Sequence, residues 1–234
     1  MADRDGTRLH VYGRRRGRRL RVGQRELLAS LLPKLRIDLP ESGGRIDPAA
    51  LFGPGIREIW LEIGFGGGEH LAWQAAHHSG TGLIGAEFFV NGIASLLGHV
   101  ARQGLQSVRI YPDDAWPLLQ ALPDCSIGRV FLLFPDPWPK VRHAGRRFVS
   151  AATLGDLARI LKDGGELRIA SDDPGYVRWT LERLGACPEF EWLAQGPGDW
   201  RRRPEDWPAT RYEEKALKAD RRPAYLRFRR RQRD

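Results

Sequence analysis

A chain of 234 residues, 41% of them hydrophobic, is long enough to bury one real core, and a single domain is the expected count. Two cysteines, Cys125 and Cys187, and six scattered histidines supply neither a disulfide framework nor metal-ligand spacing, so the expectation is a reducing cytoplasm and no metal. The net charge of +9 is uneven: residues 1–36 hold 11 Lys/Arg against 3 Asp/Glu and residues 201–234 hold 13 against 6, which leaves the middle acidic. Basic ends on an acidic centre suggest a polyanion held by the ends. No apolar run of about 18 residues reads as a membrane span, and no apolar segment near the start reads as an export signal.

In chain order, residues 1–25 read as a basic arm, with arginines interleaved with Tyr12, Gly13, Gly17 and Gly23. Residues 26–36 form a short amphipathic helix interrupted at Pro33, and 37–56 a loop. The domain proper is expected from residue 37 to 234. Strands are expected at 57–63, 82–87, 107–111, 127–134 and 165–171, with helices at 69–78, 89–103, 114–122, 151–162 and 173–185 between and after them. The Gly164–Gly165 pair reads as the stop of the fourth of these helices. Late strands are expected at 190–194 and 224–230. Strands alternating with helices of this length specify an α/β fold, a doubly wound, mostly parallel sheet of Rossmann-like type.

Ligands of such sheets bind at the carboxyl ends of the strands. The first strand ends in Glu62-Ile-Gly64-Phe-Gly66-Gly-Gly68, whose glycines permit tight turning and close backbone approach. The second ends at Glu87, where an acid can accept from ribose hydroxyls; the third leads to Asp113-Asp114, the fourth to Phe134-Pro-Asp136-Pro-Trp138-Pro-Lys140, and the fifth to Asp172-Asp173. Acids that merely cap the following helices would explain Asp113 and Asp173, but not all five ends together. A dinucleotide fingerprint requires a third glycine where Glu69 stands, and an acid there repels a pyrophosphate. A cationic nucleoside such as S-adenosyl-L-methionine suits the acids, with Glu62, Gly64, Gly66, Gly68, Glu87 and Asp114 as its expected neighbours.

Three prolines within five residues around Asp136 and Trp138 stiffen that turn. Together with Gly17-Arg18-Arg19-Leu20 and Gln24, the glycine loop, and Thr210-Arg211-Tyr212-Glu213, this segment resembles the bacterial tRNA (guanine-N7)-methyltransferases from about residue 14 onward. The resemblance implies a class I methyltransferase domain that methylates the variable-loop guanine of tRNA. It implies that the carboxylates of Glu62, Glu87, Asp114 and Asp136 line the cofactor pocket. It also implies that Lys140, Asp172, Thr210, Arg211, Tyr212 and Glu213 bind the substrate nucleotide. Two departures stand out: the family usually has phenylalanine where Tyr212 stands, and a glycine soon after the glutamate, which Glu213-Glu-Lys-Ala lacks.

Guanine N7 carries a lone pair and no proton, so the chemistry asks for in-line positioning and for charge stabilisation on the product base. Asp136 is the expected electrostatic group and Trp138 the wall against the extruded base. Asp172 and Glu213 are alternative readers of the guanine edge. The Gly13–Arg19 stretch is the expected RNA clamp, ordered only on binding. Three competing readings are methylation of another nucleic-acid amine, an NAD-dependent dehydrogenase and a catalytically silent RNA-binding module; Asp-Pro-Trp-Pro, Glu69 and the intact acids argue against them in turn.

Overall fold

The computed structural model describes residues 13–40 and 43–233. Its frame is one seven-stranded sheet of β1 (Glu58–Ile63), β2 (Thr81–Ala86), β3 (Val108–Tyr111), β4 (Ile127–Leu133), β5 (Leu161–Ser171), β6 (Phe190–Trp192) and β7 (Ala224–Arg230). The spatial order is β3-β2-β1-β4-β5-β7-β6. β1 to β5 pair in parallel, and β7 runs antiparallel to both β5 and β6. The expected doubly wound, mostly parallel sheet is therefore present. Its order reverses between β1 and β4, the crevice where such folds bind ligands.

The strands are apolar on both sides because both faces are covered. Ile59, Leu61 and Ile63 of β1 face a core with Leu118 of α5 (Ala115–Ala121), Leu154 and Leu157 of α6 (Ala151–Ile160) and Leu184 of α7 (Pro174–Gly185). Trp60 of the same strand faces the other core. There Leu71 of α3 (Glu69–His77) and Ile93, Leu96, Leu97 and Val100 of α4 (Val90–Gln103) pack with Trp207. Capping follows side-chain chemistry: Ser150 accepts from Thr153 N at the start of α6, and Asp173 from Tyr176 N at the start of α7. Gly104, with φ of 64°, closes α4 in the left-handed region.

Three expectations are corrected. The first helix runs from Val22 to Ser30 (α1), and a second from Leu32 to Leu35 (α2). The break falls at Leu31, because Pro33 sits in the first turn of α2, where its missing N–H has no intrahelical duty. The pair Gly164–Gly165 does not stop α6: the helix ends at Ile160 and β5 begins at Leu161. The glycines form a bend within that strand, Gly164 at φ of 77°, where the register with β4 shifts between Ile127 and Arg129. Third, residues 13–20 are laid on the domain rather than left free, as described below. The short helices α8 (Gly198–Arg201) and α9 (Arg211–Lys218), with a 3₁₀ turn at Val141–Arg146, complete the fold.

The amino-terminal helices belong to this frame. Leu27, Leu28, Leu31 and Leu32 pack on the core shared by α3 and α4, and Ile37 N donates to Ile110 O at 2.8 Å, extending the sheet beyond β3.

Candidate active site

The loop after β1 turns on three glycines in the left-handed region, Gly64, Gly66 and Gly68, at φ of 68°, 54° and 78°. Its approach to α4 is close: a Cβ on Gly92 would lie 2.2 Å from Gly66 O, and one on Gly68 would meet Leu96 at 2.7 Å. The acid after β2 fastens this loop. Glu87 accepts from Gly66 N and from Phe89 N, each at 2.9 Å, so one carboxylate ties the glycine loop to the start of α4. Burial raises the Glu87 carboxyl above its ordinary value, and the two backbone donors oppose the rise.

A cleft opens between the ends of β1, β2 and β4. Its apolar wall is Ile63, Ala86, Phe88, Ala115 and Trp116, and Glu87, Asp114 and Asp136 face it. Asp114 caps α5 by accepting from Trp116 N at 3.1 Å, and burial raises its carboxyl. The cap expected of Asp113 is thus made by its neighbour. Asp113 instead accepts from Asp114 N and pairs with Arg15 at 3.2 Å. Asp136 is solvent-accessible at the mouth, yet the walls around it strip enough water to raise its carboxyl as well.

The turn carrying Asp136 is strained on both sides. Phe134 and Trp138, neither of them glycine, have φ of 50° and 42°. Arg147 braces the turn, donating from Nε to Pro137 O at 3.0 Å and from Nη2 to Trp138 O at 3.3 Å. The Trp138 ring is flanked by the edge of His143 at 5.7 Å and by the Arg146 guanidinium at 4.9 Å. Lys140 is exposed beyond it.

The distant segment 210–213 comes to the glycine loop. Thr210 caps α9, accepting from Glu213 N. The Tyr212 ring lies against Gly66, so near that a Cβ there would sit 2.7 Å from it. Arg211 pairs with Glu69 at 3.5 Å. Glu213 points inward, accepting from Tyr225 Oη at 2.7 Å and pairing with Arg203 at 3.0 Å. Asp172 pairs with Arg221 at 2.6 Å on the outer side of the β5 end. Glu62 is buried beneath the glycine loop with one oxygen 2.7 Å from His70 Nδ1.

This lining fits the expected cofactor. Three carboxylates suit a sulfonium and an ammonium group, and the faces of Phe88 and Trp116 suit a purine. The start of α3, by contrast, presents Glu69 where a pyrophosphate would need a free anion site. Among the described residues no cluster of metal-binding side chains occurs, and no helix is long and apolar enough to cross a membrane.

A family model described as "Putative methyltransferase" matches residues 57–225. The chain is 55% identical over all of its length to the tRNA (guanine-N(7)-)-methyltransferase of Rhodospirillum rubrum, 92% of which is covered. The chain belongs to the tRNA (guanine-N7)-methyltransferase family. The enzyme of that name from Paramagnetospirillum magneticum is 54% identical over 97% of this chain and 94% of its own. A crystal structure of an rRNA methylase from Streptococcus thermophilus shares the fold, with a TM-score of 0.51, 13% identity, and 75% of this chain and 88% of that chain covered. The fold is the Rossmann-like one of S-adenosylmethionine-dependent methyltransferases.

Three partners of the candidate site residues were not read from the sequence: His70 on Glu62, Arg147 on the Asp136 turn, and the Arg203–Glu213–Tyr225 pin. His70 directly follows the glycine motif, so its place was visible though its partner was not. The other two close across turns, between residues 9 to 12 positions apart, whose course no sequence pattern announces.

Proposed function

We propose that this protein transfers a methyl group from S-adenosyl-L-methionine to N7 of the variable-loop guanine of tRNA, acting in the cytoplasm. The observation that carries the reading is Asp136, held on a strained, arginine-braced turn at the mouth of the acid-lined cleft, in a chain 55% identical to a named guanine-N7 enzyme. S-adenosyl-L-methionine supplies an electrophilic methyl group; everything else is done by this chain.

Glu87 and Asp114 hold the nucleoside end, with Phe88 and Trp116 covering the purine. The glycines of the loop let the backbone approach, and Glu62 stiffens that loop from below. N7 needs no general base, so the remaining work is alignment and electrostatics. Asp136 faces the base as positive charge builds on it, in a place already partly stripped of water, where such a charge is stabilised more than in solution. Trp138 walls the extruded base, and Lys140 reaches its phosphate or O6. Thr210, Arg211 and Tyr212 form the opposing wall over Gly66. Of the two acids expected to read the guanine edge, Asp172 is the more accessible. Glu213, committed to Tyr225 and Arg203, shapes this wall from behind.

The experiment is nucleoside mass spectrometry of tRNA incubated with the protein and S-adenosyl-L-methionine. N7-methylguanosine is expected, and a different methylated nucleoside, or none, would refute the assignment.

A further inference from the structure

Beneath the glycine loop lies a buried chain of polar groups that neither the cleft nor its acids require. His70 and Gln74, on successive turns of one face of α3, are fully enclosed. His70 Nδ1 lies 2.7 Å from the Glu62 carboxylate, and His70 Nε2 lies 3.1 Å from Gln74 Nε2. The same amide nitrogen donates to Asp206 O at 2.9 Å. These contacts assign donors and acceptors along the chain. An amide nitrogen only donates, so Gln74 gives one hydrogen to Asp206 O and the other to His70 Nε2, which must therefore be the unprotonated nitrogen. The hydrogen on Nδ1 goes to Glu62. Turning the Gln74 amide over would set two oxygens against each other at Asp206.

The far end of this chain is anchored too. Asp206 is held through its side chain by Arg168 at 2.8 Å, and Trp207, the next residue, is buried with its ring 6.1 Å from His70. Arg203 donates to Trp207 O at 2.5 Å and pairs with Glu213. A continuous set of contacts thus runs from the acid under the cofactor loop to the acid inside α9.

We infer that His70 is a positioning residue, which, with Gln74, couples occupancy of the cofactor cleft to the nucleotide-binding segment at Thr210–Glu213. A cofactor that tightens the glycine loop on Glu62 loads His70, and through Gln74 the carbonyl four residues before Thr210. Linkage is reciprocal, so tRNA tightens the cofactor by the same factor. The inference rests on the proposed function for the identity of the two ligands.

The test is calorimetry of S-adenosylhomocysteine binding with and without saturating tRNA. The wild type is expected to bind it about five-fold or more tighter with tRNA present, within the range of ordinary allosteric couplings. Gln74→Met fills the same space without donors, and the ratio is expected to fall to near one while cofactor affinity alone changes little. His70→Asn keeps a donor for Glu62 but does not reach Gln74, so it gives the same result and guards against a misfolded first variant. A merely structural role would weaken both measurements together and leave their ratio standing. No coupling in the wild type, or an undiminished ratio in both variants, overturns the inference. Loss of methylation of N7 by the wild type would instead overturn the function on which it rests.

Discussion

At Asp136 a single carboxyl is asked to remain ionised in a place that disfavours ionisation. Burial raises it above the ordinary 3.8. In the role proposed for it the negative form is the useful one, so the methylation rate is expected to be present above the raised value and lost as pH falls through it. Single-turnover rates measured against pH with both substrates saturating should show this acid limb above the ordinary aspartate value. Asp136→Asn should remove the limb and slow the neutral-pH rate by roughly 10²–10³-fold, the scale of losing one preorganised electrostatic group. A mutant near the wild-type rate would leave alignment by Trp138 and the prolines as the whole mechanism.

Two neighbours of the glycine loop give tests of binding rather than chemistry. Glu87→Ala leaves Gly66 N and Phe89 N without their acceptor, and cofactor affinity should fall by about 1–3 kcal/mol in calorimetry. Gly92→Ala drives a Cβ into Gly66 O, a backbone atom that cannot swing aside. A cost of roughly 1–3 kcal/mol in unfolding free energy is expected for such overpacking, with weaker cofactor binding. A stable, tightly binding Gly92→Ala protein would mean that the loop and α4 can part without consequence.

Among the elements, the turn after β4 depends on Arg147, whose two donors fall on consecutive carbonyls. Lysine carries the charge but not the planar fork. Arg147→Lys is therefore expected to reduce kcat by roughly ten-fold, about one charged hydrogen bond, while cofactor affinity holds. A proportional loss of cofactor binding would show instead that Arg147 supports the cleft wall that it also lines.

The strands were legible because both faces of the sheet are covered, which leaves apolar runs such as Ile127–Leu133. The acids at the strand ends were legible because the fold dictates where its ligands sit. What escaped was set by how turns and neighbouring strands bring side chains together. The α9 sequence RYEEKALK has too few apolar residues to announce a helix, and it packs by burying Glu213 and Ala216. Gly164–Gly165 looks like a helix stop until β4 is seen to demand a register shift there. The bond from His70 to Glu62 depends on the sharp reversal at Gly64–Gly68, which brings the two side chains together.

For the whole molecule, charge and topology bring the basic amino-terminal stretch to the cleft. Arg15 O accepts from Val90 N at 3.0 Å, and Asn91 bonds both Gly17 N and Arg18 O at 2.7 Å. Phe88 and Phe89 lie under Gly13 and Gly17, so close that a Cβ at either glycine would clash. Docking through backbone atoms leaves Arg14, Arg16, Arg18 and Arg19 exposed beside the cleft. Arg16, Arg18 and Arg19 all changed to Gln should weaken tRNA binding and flatten the plot of log affinity against log salt. The slope should drop by up to about 0.7–0.9 per lost phosphate contact. An unchanged slope would remove this stretch from the RNA interface. Residues 1–12, the start of the expected basic arm, lie outside those described.

The place of β7 bears on how the enzyme comes into being. Among the described residues β6 pairs with β7 alone, and β7 also covers the edge of β5. Tyr225 on β7 holds Glu213, and so the segment proposed to face the guanine. During synthesis the ribosome emits β1 to β5 and the cofactor loop long before residue 224 emerges. A nascent chain can therefore assemble the methyl-donor half while β6 stays unpaired and α9 unpinned. The contact that pins the segment proposed to face the guanine is thus made last, when one late strand slots between two earlier ones.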